Sequence, residues 1–247
     1  MDRNNYFSSQ SQEYALYRPT YPDELFNYIT SFVEKKEVVL DCATGSGQAA
    51  VPLSERFKQV IAVDISERQL QYAEKRANIR YAVSPVEQLR VPENSVDLVT
   101  VAQGAHWFQF DAFYKEVQRV AKKDAAIVVW GYGLCTISRE IDQILHVYYY
   151  EIVGKFWPAE RKYIDEEYKT LPFPFAEIQT LDFEIKIKWT AQQFLAYLFT
   201  WSATQMYMKE EGKNPLQFIK DEIERLWGDE AREIRWPIFI RAGYVNQ

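Results

Sequence analysis

Cysteine and histidine are scarce in this chain of 247 residues, with two of each. Cys42 and Cys135 make no disulfide framework, and Cys42 reads as a reduced, buried thiol. Histidines and cysteines so scattered argue against a zinc cluster, and no metal is expected. Long apolar runs are missing as well: the longest, around Ala125 to Cys135, falls short of a bilayer span. The N-terminus is polar and shows no signal-peptide pattern. The expectation is a soluble, cytoplasmic protein with no membrane partner. Basic residues never gather into a stripe. The net charge is −6, and Lys35-Lys36 and Lys122-Lys123 read as solvated turns. That surface matches a phosphate backbone poorly, so no nucleic-acid partner is expected. Repeats, low-complexity tracts and long linkers are lacking too. Apolar residues, at 47%, suffice for the core of one α/β domain with an insertion.

The most informative stretch present is Val38-Val39-Leu40-Asp41-Cys42-Ala43-Thr44-Gly45-Ser46-Gly47-Gln48. An apolar strand runs into an acid, then two closely spaced glycines, then a helix-forming run. A second apolar run, Val60-Ile61-Ala62-Val63, ends in Asp64. Asp64 lies about 20 residues past Gly45, where a βαβ unit places a ribose-binding acid. Two cofactor classes compete for such a site. Gly45-Ser46-Gly47-Gln48-Ala49-Ala50 fits a relaxed dinucleotide fingerprint. A diphosphate, however, would be repelled by Asp41, four residues before Gly45. A carboxylate suits a ligand with an ammonium and a sulfonium, which S-adenosylmethionine carries together with a ribose for Asp64.

The pattern Asp41-x-Ala43-x-Gly45-x-Gly47 followed by Asp64 resembles motif I of the class I S-adenosylmethionine-dependent methyltransferases. Ala43 stands where that family often has glycine, so the backbone there is expected to be sterically tolerant. Ser84-Pro85-Val86-Glu87-Gln88-Leu89 and Ser95 to Val101 resemble the family's acid-containing loop and fourth strand. Ala105-His106-Trp107-Phe108 and Tyr17-Arg18-Pro19-Thr20-Tyr21-Pro22 resemble a small-molecule branch that includes trans-aconitate methyltransferase-like proteins. The resemblance is strong over residues 1–132 and weaker beyond. No Asn/Asp-Pro-Pro-Tyr run, which marks many base-amine methyltransferases, follows the fourth strand. The resemblance implies a cofactor set of Arg18, Asp41, Ala43, Gly45, Gly47, Asp64, Ile65, Gln69, Val86, Glu87 and Gln103. It implies methyl transfer to a small molecule, with a carboxylic acid as one candidate. A non-catalytic cofactor-binding partner protein, or an NAD-dependent oxidoreductase, is the alternative.

Alternating strands and helices over the first half predict a Rossmann-like, doubly wound, seven-stranded sheet, mostly parallel. Pro22 with Asp23 and Glu24 opens one helix, Gln48 to Phe57 forms another, and Ser66-Glu67-Arg68-Gln69 is a capping box. Asp111 is expected to cap a helix running to Ala121. After Trp130 the chain turns aromatic and proline-broken. Residues 1–132 are read as the cofactor core, 133–228 as a lid that holds substrate specificity, and 229–247 as the closing strand. Phe183 to Trp189 alternates as a half-exposed strand, and Pro237 marks an edge or bulge in the last one.

Methyl transfer from a sulfonium is an in-line displacement in which positioning is most of the protein's work. His106 is the candidate general base, with cofactor or substrate contact and loop bracing as alternatives. Trp107 and Phe108 are candidates to face a sulfonium by cation–π contact, with core packing the alternative for Phe108. Arg18 offers a fork for a carboxylate of cofactor or substrate, and the Tyr14–Tyr21 segment is read as closing over the site. Tyr17, Trp107 and Trp201 are the candidate substrate contacts.

Overall fold

A computed structural model of the chain describes residues 18–245, so Tyr17 and the start of the Tyr14–Tyr21 segment lie outside the described residues. Five strands run parallel: β1 (Val38–Cys42), β2 (Gln59–Asp64), β3 (Ile79–Val83), β4 (Val96–Ala102) and β5 (Ala121–Tyr132). Their order is β3-β2-β1-β4-β5, so the direction of winding reverses between β1 and β4. Helix α1 (Asp23–Thr30) follows Pro22, carries Asp23 and Glu24 in its positive first turn, and buries Leu25, Phe26 and Ile29. Helix α2 (Ala50–Ser54) is shorter than expected, with Pro52 in its first turn, where the missing N–H costs nothing. Ser66 Oγ caps α3 (Glu67–Gln71) by accepting from Gln69 N at 3.3 Å. Gln109 rather than Asp111 precedes α4 (Phe110–Val120), and Asp111 sits in its first turn.

The period-2 pattern of the strands feeds two apolar layers. Val39, Leu98, Ala126 and Val128 pack on one face against α1 and the helices of the second half. Their chain neighbours Leu40, Val99, Ile127 and Val129 pack on the other face against Phe113, Val117 and Val120 of α4. Among the described residues, the second half adds α5 (Arg139–Val147), α6 (Lys162–Asp165), α7 (Ala191–Phe199), α8 (Ser202–Glu211) and α9 (Lys220–Trp227). It also adds strands β6 (Ala176–Ile178), β7 (Phe183–Trp189) and β8 (Arg232–Tyr244).

Strand β8 runs antiparallel to β5 on one side and to both β6 and β7 on the other. Eight segments therefore fill seven positions, because β6 and β7 divide one flank of β8 between them. Pro237, where the sequence suggested an edge or a bulge, lies within a strand paired on its β7 side, and the pairing on its β5 side shifts register by one residue between Tyr132↔Ile238 and Thr136↔Arg235. Pro237 pairs in register with Glu184 of β7, and its carbonyl accepts from Gly133 N at 3.3 Å. Its missing donor faces the side where β5 has just ended at Tyr132, so no ladder bond is lost. No helix among the described residues is long and apolar enough to cross a membrane.

Candidate active site

A cavity of about 460 Å³ opens at the carboxyl ends of β1, β2, β4 and β5. Open α/β sheets place ligands at this edge, where the winding reverses. Each strand end contributes a differently shaped residue: Ala43 after β1, Asp64 closing β2, Gln103 after β4 and Tyr132 closing β5.

The turn after β1 is built by left-handed backbone. Ala43, Gly45 and Gly47 have φ of 54°, 56° and 85°. A Cβ on Gly47 would lie 2.6 Å from Tyr81 Oη, so both conformation and space demand glycine there. Ala43 is not in the tolerant conformation its side chain would favour. It occupies the left-handed region at a cost of about 1–2 kcal/mol. Its Cβ also shapes the loop opposite, because a Cβ on Gly104 would meet it at 2.7 Å. Ala43→Gly is therefore expected to leave stability unchanged or raise it by up to about 1 kcal/mol. Gly104→Ala should cost about 1–3 kcal/mol alone and much less in the Ala43→Gly background. Urea midpoints of the four proteins in this cycle measure the coupling, and additive effects would contradict the contact.

Asp64 is nearly buried, and its two carboxylate oxygens each accept a backbone N–H at 2.8 Å, from Gly45 and from Ser66. Burial raises its pKa, and these backbone N–H bonds oppose the rise. Each oxygen retains acceptor capacity for a ligand hydroxyl. Gln103, at φ 56°, clamps β5 through both ends of its amide. Its Oε1 accepts from Tyr132 N at 2.7 Å, and its Nε2 donates to Tyr132 O at 3.2 Å.

Ala43, Gly45, Asp64, Ile65 and Gln69 all line the cavity, as do Val86, Glu87 and Gln103. Trp107 and Phe108 line it as well. Gly47 is off the lining and shapes the turn from within. Asp41, expected against an ammonium group, is also off the lining and fully buried. Its Oδ1 accepts from Thr100 Oγ1 at 2.8 Å, and its Oδ2 has no hydrogen-bond partner among the described residues. Burial pushes its pKa up to about 6, and the Asp64 charge adds to the rise against the threonine hydroxyls nearby. Arg18 does not line the cavity either. Its Nη1 donates to Tyr132 Oη at 3.3 Å, its Nη2 to Thr200 O at 3.4 Å, and its guanidinium lies 5.6 Å from the Tyr197 ring. It braces Tyr132, which does line the cavity.

The structure corrects the catalytic role expected of His106. The ring is buried off the lining, with Nδ1 3.2 Å from Tyr168 Oη. Burial, helped by the Arg161 charge, pulls its pKa down to about 3. It has neither the reach nor the basicity to take a proton from an acceptor. Trp201 is likewise core, 4% exposed among the rings of Tyr148, Tyr149, Trp157 and Tyr197.

Sequence reasoning missed Tyr132, Pro158 and Glu160 as lining residues, and it placed Tyr21 over the site only as the end of the Tyr14–Tyr21 segment. Tyr132 was findable from its place at a strand's carboxyl end. Pro158 and Glu160 come from an irregular turn near Ala105–Trp107 and carried no local signal.

The residues present fit S-adenosylmethionine. The left-handed turn that sets Gly45 on the lining and an acid with spare acceptor sites at the end of β2 match its methionine and ribose groups.

A family model for a methyltransferase domain matches residues 40–129. The chain is 35% identical over 243 residues to a Dictyostelium discoideum protein assigned as a methyltransferase, covering 95% of this chain and 92% of that one. It is 29% identical over 160 residues to a Saccharomyces cerevisiae protein assigned as an S-adenosylmethionine-dependent methyltransferase, covering 60% of this chain and 55% of that one. A solved structure from Anaeromyxobacter dehalogenans, assigned as a type II methyltransferase, shares the fold with a TM-score of 0.86. That protein is 38% identical, with 92% of this chain and 98% of that one covered. Sequence, fold and cofactor turn agree, and the chain belongs to the S-adenosylmethionine-dependent methyltransferases.

Proposed function

We propose that the acceptor is a small molecule, held between the aromatic walls of the cavity and the turn that carries Pro158 and Glu160. The observation behind this reading is the cavity's composition. Its cofactor end is polar backbone and Asp64, and its remaining walls include Tyr21, Trp107, Phe108, Tyr132 and Pro158. A volume of about 460 Å³ suits cofactor plus a small acceptor. S-adenosylmethionine supplies the methyl group on a sulfonium already activated for displacement.

The protein's part is to hold and orient. The Gly45 turn and Asp64 hold the cofactor's polar groups. Gln103 fixes the Tyr132 backbone, and Arg18 fixes the Tyr132 hydroxyl, so that wall of the acceptor pocket is braced at two points. The aromatic side chains confine the acceptor for in-line attack. On this reading residues 1–132 carry the cofactor site and most of the aromatic wall beside the acceptor, and the 133–228 region adds to acceptor choice through Pro158 and Glu160, its lining residues among those described. The finer resemblance, to trans-aconitate methyltransferase-like proteins, would imply an acid acceptor. No Lys, Arg or His lines the cavity among the described residues, which does not favour an anion.

The test is transfer of labelled methyl from S-adenosylmethionine to a panel of small acids, phenols and amines. Turnover to S-adenosylhomocysteine with at least one class is expected. Cofactor binding without turnover on any of them would support the non-catalytic alternative instead.

A further inference from the structure

Resting on the small-molecule reading above, we infer that the acceptor carries an amine, and that Glu160 recognises it. The charged side chains lining the cavity among the described residues are Asp64, Glu87 and Glu160. Two of them are engaged. Asp64 accepts from Gly45 N and Ser66 N, and Glu87 Oε1 accepts from Gln109 N at 3.0 Å. The Glu160 side chain makes no hydrogen bond or ion pair with a described residue, and its backbone carbonyl accepts from Lys162 N.

The cation next to it in the chain is committed elsewhere. Arg161 Nε donates to Tyr149 Oη at 2.6 Å and lies 3.5 Å from Asp165 Oδ1, and its guanidinium stacks 4.5 Å from the Trp157 ring. Glu160 therefore lines the cavity without a cationic side-chain partner among the described residues. A carboxylic acid beside it would meet like-charge repulsion. An ammonium would gain a charge-assisted hydrogen bond in a cavity that Trp107 and Tyr132 also line.

The chemistry balances with the amine as nucleophile. The bound ammonium first gives one proton to solvent, which frees the nitrogen lone pair. The nitrogen then forms the new N–CH3 bond as the methyl–sulfur bond breaks. The electron pair of the broken bond stays on sulfur, and the positive charge passes to the methylated nitrogen.

The probes are 2-phenylethylamine and 3-phenylpropanoate, similar in size and opposite in charge. Binding of each is measured by calorimetry on the full chain saturated with S-adenosylhomocysteine. The amine should bind at least tenfold more tightly than the acid. Glu160→Gln should weaken the amine by about tenfold to a hundredfold, and Glu160→Asp by less. Affinity for S-adenosylhomocysteine, measured on each variant, reports whether it has folded. The parent's preference between the two probes needs no variant at all. Equal or tighter binding of the acid, no binding of the amine, or an amine affinity untouched in folded Glu160→Gln would overturn the proposal. A parent that binds S-adenosylhomocysteine and methylates only acids or phenols would spare the small-molecule reading and sink the amine. A parent that turns over no small acceptor would remove the reading beneath it.

Discussion

Lowering the pH from 7 to 4 should cost the parent about 3 kcal/mol of stability relative to His106→Gln. The cause is the buried ring. In the fold its pKa is held down to about 3 by burial and by the Arg161 charge, against an ordinary value of 6.5. Below pH 6.5 the unfolded chain takes up a proton at this ring and the folded chain does not. The contribution is therefore full above pH 6.5 and is lost progressively as the pH falls toward 3. Asp41 works the other way. Burial raises its pKa to about 6, so the folded state holds its proton more tightly, and its contribution to stability grows as the pH falls from about 6 to about 4. The two nearly offset each other in the parent, which is why the difference between parent and variant is the readout. Asp41 is common to both proteins and drops out of it. Loss of the His106–Tyr168 contact adds an offset that does not depend on pH. Urea unfolding of both proteins from pH 7 to pH 4 gives the answer, and a difference constant across that range would show that the ring titrates normally.

Asp64→Ala is expected to weaken S-adenosylmethionine by about 2–4 kcal/mol, or roughly thirtyfold to a thousandfold. Two losses combine. The ligand hydroxyls lose a charged acceptor, and the N–H groups of Gly45 and Ser66 lose the oxygens that hold the turn in shape. Asp64→Asn keeps one acceptor oxygen and should recover part of the loss. Calorimetry on the three proteins measures it. An Asp64→Ala protein that binds S-adenosylmethionine like the parent would remove Asp64 from the cofactor site.

The part of the cavity lining that comes from β1, β2 and their turns was legible because its determinants are local. An apolar strand, a tight glycine turn and an acid ending the next strand lie within about one βαβ unit, and the chain direction carries each to the same sheet edge. Asp64, Gly45 and Ala43 follow from that, as do Val86 and Glu87 from the loop after β3. Local pattern was a weaker guide to burial. His106 and Trp107 are adjacent in sequence, yet one is buried beside Tyr168 and the other lines the cavity. That division depends on Tyr168, which packs there only once the second half has folded over α4. Trp201 reads like any lid aromatic, and only packing against four other rings makes it core.

The sequence by itself determined the parallel sheet, the cofactor turn and the acid at the end of β2, because strand period, glycine conformation and charge act over a few residues. Tertiary structure alone decided that Ala43 takes a left-handed backbone, that Asp41 and His106 leave the cavity, and that Glu160 enters it. Each of these depends on which distant segments meet at the sheet edge. Burial and side-chain neighbours across the fold, which no short window of sequence encodes, settle that outcome.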